Sequence, residues 1–365
     1  MKNVSFKDKV AVVTGSSRGW GLAIARELGK RGARVVVNGT KEGDVIAAAE
    51  SVRSLGTDCV AVVESVASSA GARRIISSAV ENFGRLDILI NNAGRFRGAT
   101  VLDMEEQQWN DVVDVQLSGV FNCVQPAARQ MVAQGNGGTI INMAGSTGVR
   151  GMYGQANHAA TKGAILAATQ SWALELWPYD IRVNAVRAAL RTELMAPYVA
   201  QAHKHLQRAG ESDNATARDM GYYEPEEASA LVTWLASGLA SEITGQFFGI
   251  DGPRLTHWAL GQPKETFYHY PNWTPELIHA AQLERVVGSG PASIGLGPAT
   301  LALPASIGAG PVSRADKSET RVRREAVARV VLRGLSARAT WPIDATESDI
   351  LELIGPVYDP AARAE

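Results

Sequence analysis

From Lys9 to about Asp251, short β-branched runs alternate with longer stretches whose apolar residues recur at helical spacing. Val10–Val13, Arg34–Val37, Cys59–Val63, Leu86–Ile90, Thr139–Asn142, Ile181–Val186 and Gln246–Ile250 read as strands. Between them, segments such as Gly21–Arg31 and Ala70–Phe83 carry the helical period and end in glycine or a small-residue turn. The strands are apolar runs rather than strict alternations, which is the pattern of strands buried on both faces. This predicts an α/β fold, a doubly wound, seven-stranded parallel sheet with helices on both faces, over residues 1–252.

Beyond Gly252 the pattern changes. Residues 253–288 form an aromatic-rich arm (Trp258, Phe267, Tyr268, Tyr270, Trp273), which needs a surface to bury it. Residues 289–312 are mostly Gly, Ala, Pro, Ser and Leu and read as a linker. In the tail, 313–365, Val322, Ala326, Val327, Val330 and Val331 fall at helical spacing among arginines. Thr346-Glu347-Ser348-Asp349 then resembles a capping box before a final short helix.

Composition narrows the classes of function. The 365 residues are 45% hydrophobic and 20% charged with net charge −1, so nothing draws the chain electrostatically to nucleic acid or a membrane surface. Two cysteines, Cys59 and Cys123, are too few for a disulfide framework. There is no apolar run of about 18 residues and no signal-like start, so a cytoplasmic protein is expected. No metal is expected.

The first strand runs directly into Thr14-Gly15-Ser16-Ser17-Arg18-Gly19-Trp20-Gly21, and a helix follows. Such a turn lets backbone approach a pyrophosphate closely and sets it on a helix N-terminus, where unpaired N–H groups favour anions. Asn91-Asn92-Ala93-Gly94 closes the fourth strand, Glu64-Ser65-Val66 the third, and Ile243-Thr244-Gly245-Gln246 with Asp251-Gly252 frames the last. Together these motifs resemble the short-chain dehydrogenase/reductase family over roughly the first seven-tenths of the chain. The resemblance implies a Rossmann-type fold. It implies nucleotide contacts from Gly15, Ser17, Arg18, Gly19, Trp20, Gly21, Thr40, Glu64, Ser65, Asn91, Ala93, Gly94 and Lys162. Gly154-Gln155-Ala156-Asn157 and the arm after Gly252 look most like members acting on hydroxyacyl-CoA.

The second strand decides the nucleotide. NAD selection uses an acid at its end to hold the ribose hydroxyls. Here that end reads Val37-Asn38-Gly39-Thr40-Lys41, with no acid, while Arg18 and Lys41 offer cations to a 2′-phosphate. NADP(H) is the expected cofactor, in a catalytic or a purely structural role.

Around the reaction centre the resemblance breaks. The family's tyrosine and its lysine four residues on fall on His158 and Lys162, its serine on Gly145, its asparagine on Gln116, and its Pro-Gly after the sixth strand on Ala188-Ala189. Only Lys162 matches. Trp20 stands where relatives carry an aliphatic residue near the nicotinamide. His158 and Lys162 share one helical face, and an ammonium there lowers the imidazole's proton affinity and keeps it a base. Ser146 and Thr147 adjoin Gly145 and are candidates to supply a hydroxyl, but a one-residue shift on a strand end points a side chain the other way. His203, His205, Tyr222 and Tyr223 lie in the segment expected to cover the substrate.

Three functions follow. One is an NADP(H)-linked oxidoreductase of a small carbonyl, hydroxyl or acyl-thioester substrate, using His158, Lys162 and Gln116 as its catalytic groups. Another is a non-redox dehydratase, isomerase or cyclase with His158 as base. The last is a non-catalytic subunit beside an intact relative. The segments Trp109–Gln134 and Gly154–Trp177 occupy the places where the family pairs its subunits, implying a homo-oligomer or a heteromer with a related chain.

Overall fold

The computed structural model describes residues 4–193 and 222–259. Strands and helices alternate as β1 (Val10–Val13), α1 (Gly19–Lys30), β2 (Arg34–Gly39), α2 (Glu42–Arg53), β3 (Cys59–Val63), α3 (Ser69–Phe83) and β4 (Ile88–Asn91). After these come α4 (Glu106–Val113), a π-helical turn (Asp114–Ser118), α5 (Gly119–Gln134), β5 (Gly138–Met143), α6 (Thr147–Arg150), α7 (Ala156–Leu176) and β6 (Ile181–Ala188). The described chain then continues with α8 (Pro225–Ala236), β7 (Phe247–Asp251) and β8 (Arg254–Trp258). The sheet order is β3-β2-β1-β4-β5-β6-β7-β8.

Period-two alternation sends each strand's side chains to two apolar layers. In β1, Ala11 and Val13 join Ile24 and Leu28 of α1 and Leu231 and Leu235 of α8. Val10 and Val12 face the opposite way, against Ile75 of α3, Val124 of α5 and Ile165 of α7. Both faces are covered, so the strands read as continuous apolar runs. Helix ends follow local chemistry. The Ser68 hydroxyl accepts a hydrogen bond from Gly71 N at the start of α3, and Gly84, at φ 77°, turns the chain off its end.

The sheet has one strand more than the seven expected. Residues placed in the aromatic arm turn back at Gly252, φ +54°, and form β8 antiparallel to β7. What stabilises this return is aromatic packing: the Trp258 ring lies 5.5 Å from Phe247, a fully buried side chain. The rest of the arm, the linker 289–312, the tail 313–365 with its two helical readings, and His203 and His205 lie outside the described residues.

Two features of the topology position the site. The chain order reverses between β1 and β4, opening a crevice at the C-terminal strand ends, where open α/β sheets bind ligands. On the β5 side of that crevice, α6 and α7 meet through glycines. A Cβ added at Gly148 would lie 2.4 Å from Gly163 N. Backbone therefore touches backbone, and the turn after β5 is set tightly against the helix carrying His158 and Lys162. Gly148→Ala is expected to cost about 1–3 kcal/mol, lowering the melting temperature by roughly 3–10 °C. Gly238→Ala, where an added Cβ meets nothing within 4 Å, is expected to leave it unchanged. Paired thermal melts check this, and an equal response of the two variants would contradict the backbone contact.

Candidate active site

The glycine turn after β1 is built by contacts that leave no room for side chains. A Cβ on Gly15, φ +60°, would fall 2.6 Å from Ala93 Cα, and one on Gly21 would fall 2.6 Å from Gly15 O. Thr14 Oγ1 accepts hydrogen bonds from Asn92 N at 3.0 Å and Ala93 N at 3.1 Å, tying this turn to the loop after β4. Asn92 Nδ2 donates to the Thr14 and Gly15 carbonyls, 3.0 Å each.

Asn38, read in the sequence only as the absence of an acid, is a structural staple here. Its side chain accepts from Gly15 N at 3.3 Å and donates to the Val62 and Glu64 carbonyls, joining the ends of three strands. The resulting turn fits a pyrophosphate. The N-cap of α1 is Arg18, which makes no side-chain capping bond, and no acidic residue stands in the first turn. The helix N–H groups thus face the cleft with no carboxylate against them.

That cleft holds about 660 Å³. Among the residues singled out from the sequence, Gly15, Arg18, Gly19, Trp20, Gly94, Gln116, His158 and Lys162 line it. Tyr222 also lines it, and burial raises its hydroxyl's pKa. Ser17, Gly21, Thr40, Glu64, Ser65, Asn91, Ala93 and Tyr223 are not part of that lining. Asn91 is buried beneath it and donates to Asn142 Oδ1 at 2.9 Å. Glu64 is paired with Arg74, whose hydrogen bond holds the carboxyl below its ordinary range. Arg18 forms an ion pair of 2.7 Å with Glu193, both side chains being well exposed.

The reaction end is assembled by α7 and its neighbours. Lys162 is buried and donates to Met143 O, the last residue of β5, at 2.6 Å. Burial without a carboxylate partner pushes its ammonium down to about 8. His158 stands one helical turn earlier, its ring 5.4 Å from that of Phe96. Desolvation first, and the Lys162 charge second, push its imidazole down to about 3. The ring is therefore neutral at pH 7. Gln116 lies in the π-helical turn between α4 and α5, its amide donating to Arg95 O. Such turns bring a side chain inward at functional sites.

Four buried polar atoms on this one cleft have no hydrogen-bond partner among the described residues: Trp20 Nε1, Gln116 Oε1, Thr147 Oγ1 and His158 Nδ1. Each unmade bond is costly in a folded protein, and all four belong to residues that line the cleft. On the cleft's far side Asp251 gathers the loop after β6. It pairs with buried Arg187, accepts from Ala189 N at 3.0 Å and from Arg254 at 2.8 Å. Sequence reading passed over Asp251's role as a clamp, since only tertiary structure shows an acid accepting from a backbone N–H 62 positions away.

The short chain dehydrogenase family matches residues 9–210. The chain belongs to the short-chain dehydrogenase/reductase family. It is 38% identical to the 3-oxoacyl-(acyl-carrier-protein) reductase FabG of Staphylococcus aureus over 246 residues, covering 67% of this chain and 97% of that protein. It is 34% identical to the L-rhamnose 1-dehydrogenase (NAD(P)(+)) of Azotobacter vinelandii, covering 67% and 96% of the two chains. Among solved structures, a short chain dehydrogenase from Mycobacterium avium superposes with a TM-score of 0.65 at 29% identity, covering 77% of this chain and 94% of that one. The Rossmann-type fold read from the strand pattern and glycine turn is thus that of a short-chain dehydrogenase/reductase. No described helix is long and apolar enough to cross a membrane.

The neutral state of His158 has a measurable consequence. Its folded value lies below the ordinary 6.5, so between about pH 6.5 and 3 the unfolded chain binds more protons than the folded one. The stability attached to this group is present above the unfolded value and is lost as pH falls through that window. The His158 ring resonances are expected not to titrate between pH 5 and 8, and His158→Gln is expected to flatten the acid side of the stability profile by up to about one proton. A ring midpoint near 6.5 by NMR would show that the cleft does not desolvate it.

Proposed function

We propose that the chain is an NADP(H)-linked oxidoreductase that reduces a carbonyl, most favourably the 3-oxo group of an acyl thioester, with His158 and Lys162 at its centre. The observation that carries this reading is that four residues with unpartnered buried polar atoms line the same cleft as the glycine turn after β1. The acyl-thioester class is drawn from similarity to the 3-oxoacyl reductases.

The glycine turn at Gly15, Arg18 and Gly19 would hold a nicotinamide nucleotide, which would supply hydride chemistry at the carbonyl carbon. The chain's own task is then to receive negative charge on the substrate oxygen and to deliver a proton to it. Lys162 Nζ is buried, cationic at pH 7 and short of compensating charge, which favours an oxyanion beside it. His158, neutral and one turn away, is suited to donate a hydrogen bond and relay the proton held on Lys162. A neutral imidazole can polarise a carbonyl in this way. As a general base for non-redox chemistry it is poorly matched, since its conjugate acid, at about 3, lies far below neutral pH. Gln116 carries its amide to the same wall.

The 2′-phosphate preference rests on Arg18 and Lys41 with no acid at the end of β2. The exposed Arg18–Glu193 pair contributes little by itself and is open to exchange for a phosphate. NADPH is expected to bind roughly tenfold or more tightly than NADH, Arg18→Ala to erase most of that margin, and Glu193→Gln to widen it. Calorimetry checks all three, and equal affinities in the unaltered protein would remove the NADP(H) assignment. For assembly, the exposed Trp109, Phe121 and Leu174 on α4, α5 and α7 support pairing of subunits across these helices.

Turnover of acetoacetyl-CoA with NADPH, followed at 340 nm, tests the chemistry. His158→Ala is expected to lower the rate by about 10²–10⁴-fold. The rate is expected to fall as pH rises through about 8, where Lys162 loses its proton. Activity indifferent to His158→Ala would remove His158 from the centre, and no turnover by the unaltered protein would favour a non-catalytic subunit.

A further inference from the structure

Position 145 has no side chain, yet the space beside it is filled. A Cβ placed on Gly145 would lie 3.0 Å from Thr147 Oγ1 and 3.2 Å from Lys162 Cγ. The Thr147 hydroxyl thus occupies the ground that a residue-145 side chain would enter, next to the stem of the buried lysine. On a continuing strand, residue 147 would be carried further along, away from this point. Instead β5 ends at Met143 and the chain coils into α6 at Thr147, with Gly148 N bonded to Gly145 O at 3.0 Å. This coil brings residue 147 back over residue 145. The Gly148–Gly163 backbone contact then holds Thr147 against the helix that bears His158 and Lys162.

The hydroxyl itself is unusual. Thr147 lines the cleft, and its Oγ1 is buried with no hydrogen-bond partner among the described residues. Threonine hydroxyls in such surroundings ordinarily bond to a nearby carbonyl, as Thr161 does to His158 O at 2.8 Å. A buried hydroxyl with no partner, packed at Gly145 with the stem of Lys162, is suited to an oxygen that gains charge during reaction. We propose that Thr147 is a substrate-binding residue whose hydroxyl donates to the substrate's reacting oxygen, a role that Gly145 leaves vacant. This rests on the carbonyl-reduction reading for the identity of that oxygen, but the recognition itself can be measured without turnover.

The probes are acetoacetyl-CoA and butyryl-CoA, which differ only at the 3-oxygen, titrated calorimetrically into the full chain with saturating NADP⁺. The unaltered protein is expected to favour the 3-oxo ligand by roughly fivefold, the range of one net hydrogen bond. Thr147→Val, nearly isosteric, is expected to abolish the preference, and Thr147→Ser to keep it. Gly145→Ser combined with Thr147→Ala empties the space and returns a hydroxyl from the other side, and is expected to restore it. No preference in the unaltered protein, or one that survives Thr147→Val in a variant with unchanged melting temperature, would overturn the assignment. Turnover at 340 nm separates the two proposals. A Thr147-dependent preference without any turnover removes the reduction reading and leaves Thr147 as an oxygen-recognition residue. Turnover with no Thr147-dependent preference does the reverse.

Discussion

An ammonium group buried with one carbonyl for company sets the terms for this site. Lys162 is only 8% exposed, and its one hydrogen bond among the described residues goes to Met143 O. Removing a charge from water without an opposite charge is expensive, and the depressed proton affinity of Lys162 records that expense. The same charge helps keep His158 neutral, and it makes any oxygen that gains negative character welcome nearby. A neutral imidazole, an uncompensated ammonium and a free hydroxyl are therefore parts of one electrostatic arrangement.

The fold holds that arrangement in place by close backbone contact. Gly15 rests on Ala93 at the nucleotide end, and Gly148 rests on Gly163 at the reaction end. Both contacts lie at the C-terminal edge of the sheet, one at the β1/β4 crevice and the other beside β5. The sheet between them is apolar on both faces, which is where the stability resides, so its edge can carry unsatisfied polar atoms. Trp20, Gln116, Thr147 and His158 each contribute one such atom. All four residues line one cleft, whereas Asn142 and Arg182, buried within the sheet, are bonded.

The two ends of the cleft differ in how closely their residues follow the motifs of the resemblance. The nucleotide turn is intact, with Thr14, Asn92 and Asn38 bonded to its backbone. At the reaction end, His158 and Gly145 stand where the resemblance leads one to expect tyrosine and serine. Gly145 and His158 both line the cleft, and the turn at Thr147 packs beside Gly145.

From the sequence alone, seven parallel strands, the glycine turn and the place of Lys162 one helical turn after His158 were legible. They rest on local facts: apolar periodicity, glycine spacing, and a fixed interval between residues on one helix. The eighth strand was not legible, because residues 254–258 carry no strand pattern of their own and are held by pairing with β7. Asn38 read as a missing acid and proved to be a staple, since its partners come from strands far apart in the chain. Thr147 was read only as a neighbour of Gly145 at a strand end, where side-chain direction is not fixed by the order of residues. Whether a strand runs on or coils is decided by what packs against it, and here that is the glycine contact between α6 and α7. The protonation state of His158 likewise awaited the tertiary structure, because burial and the distance to a charge are properties of the folded chain, not of its order of residues.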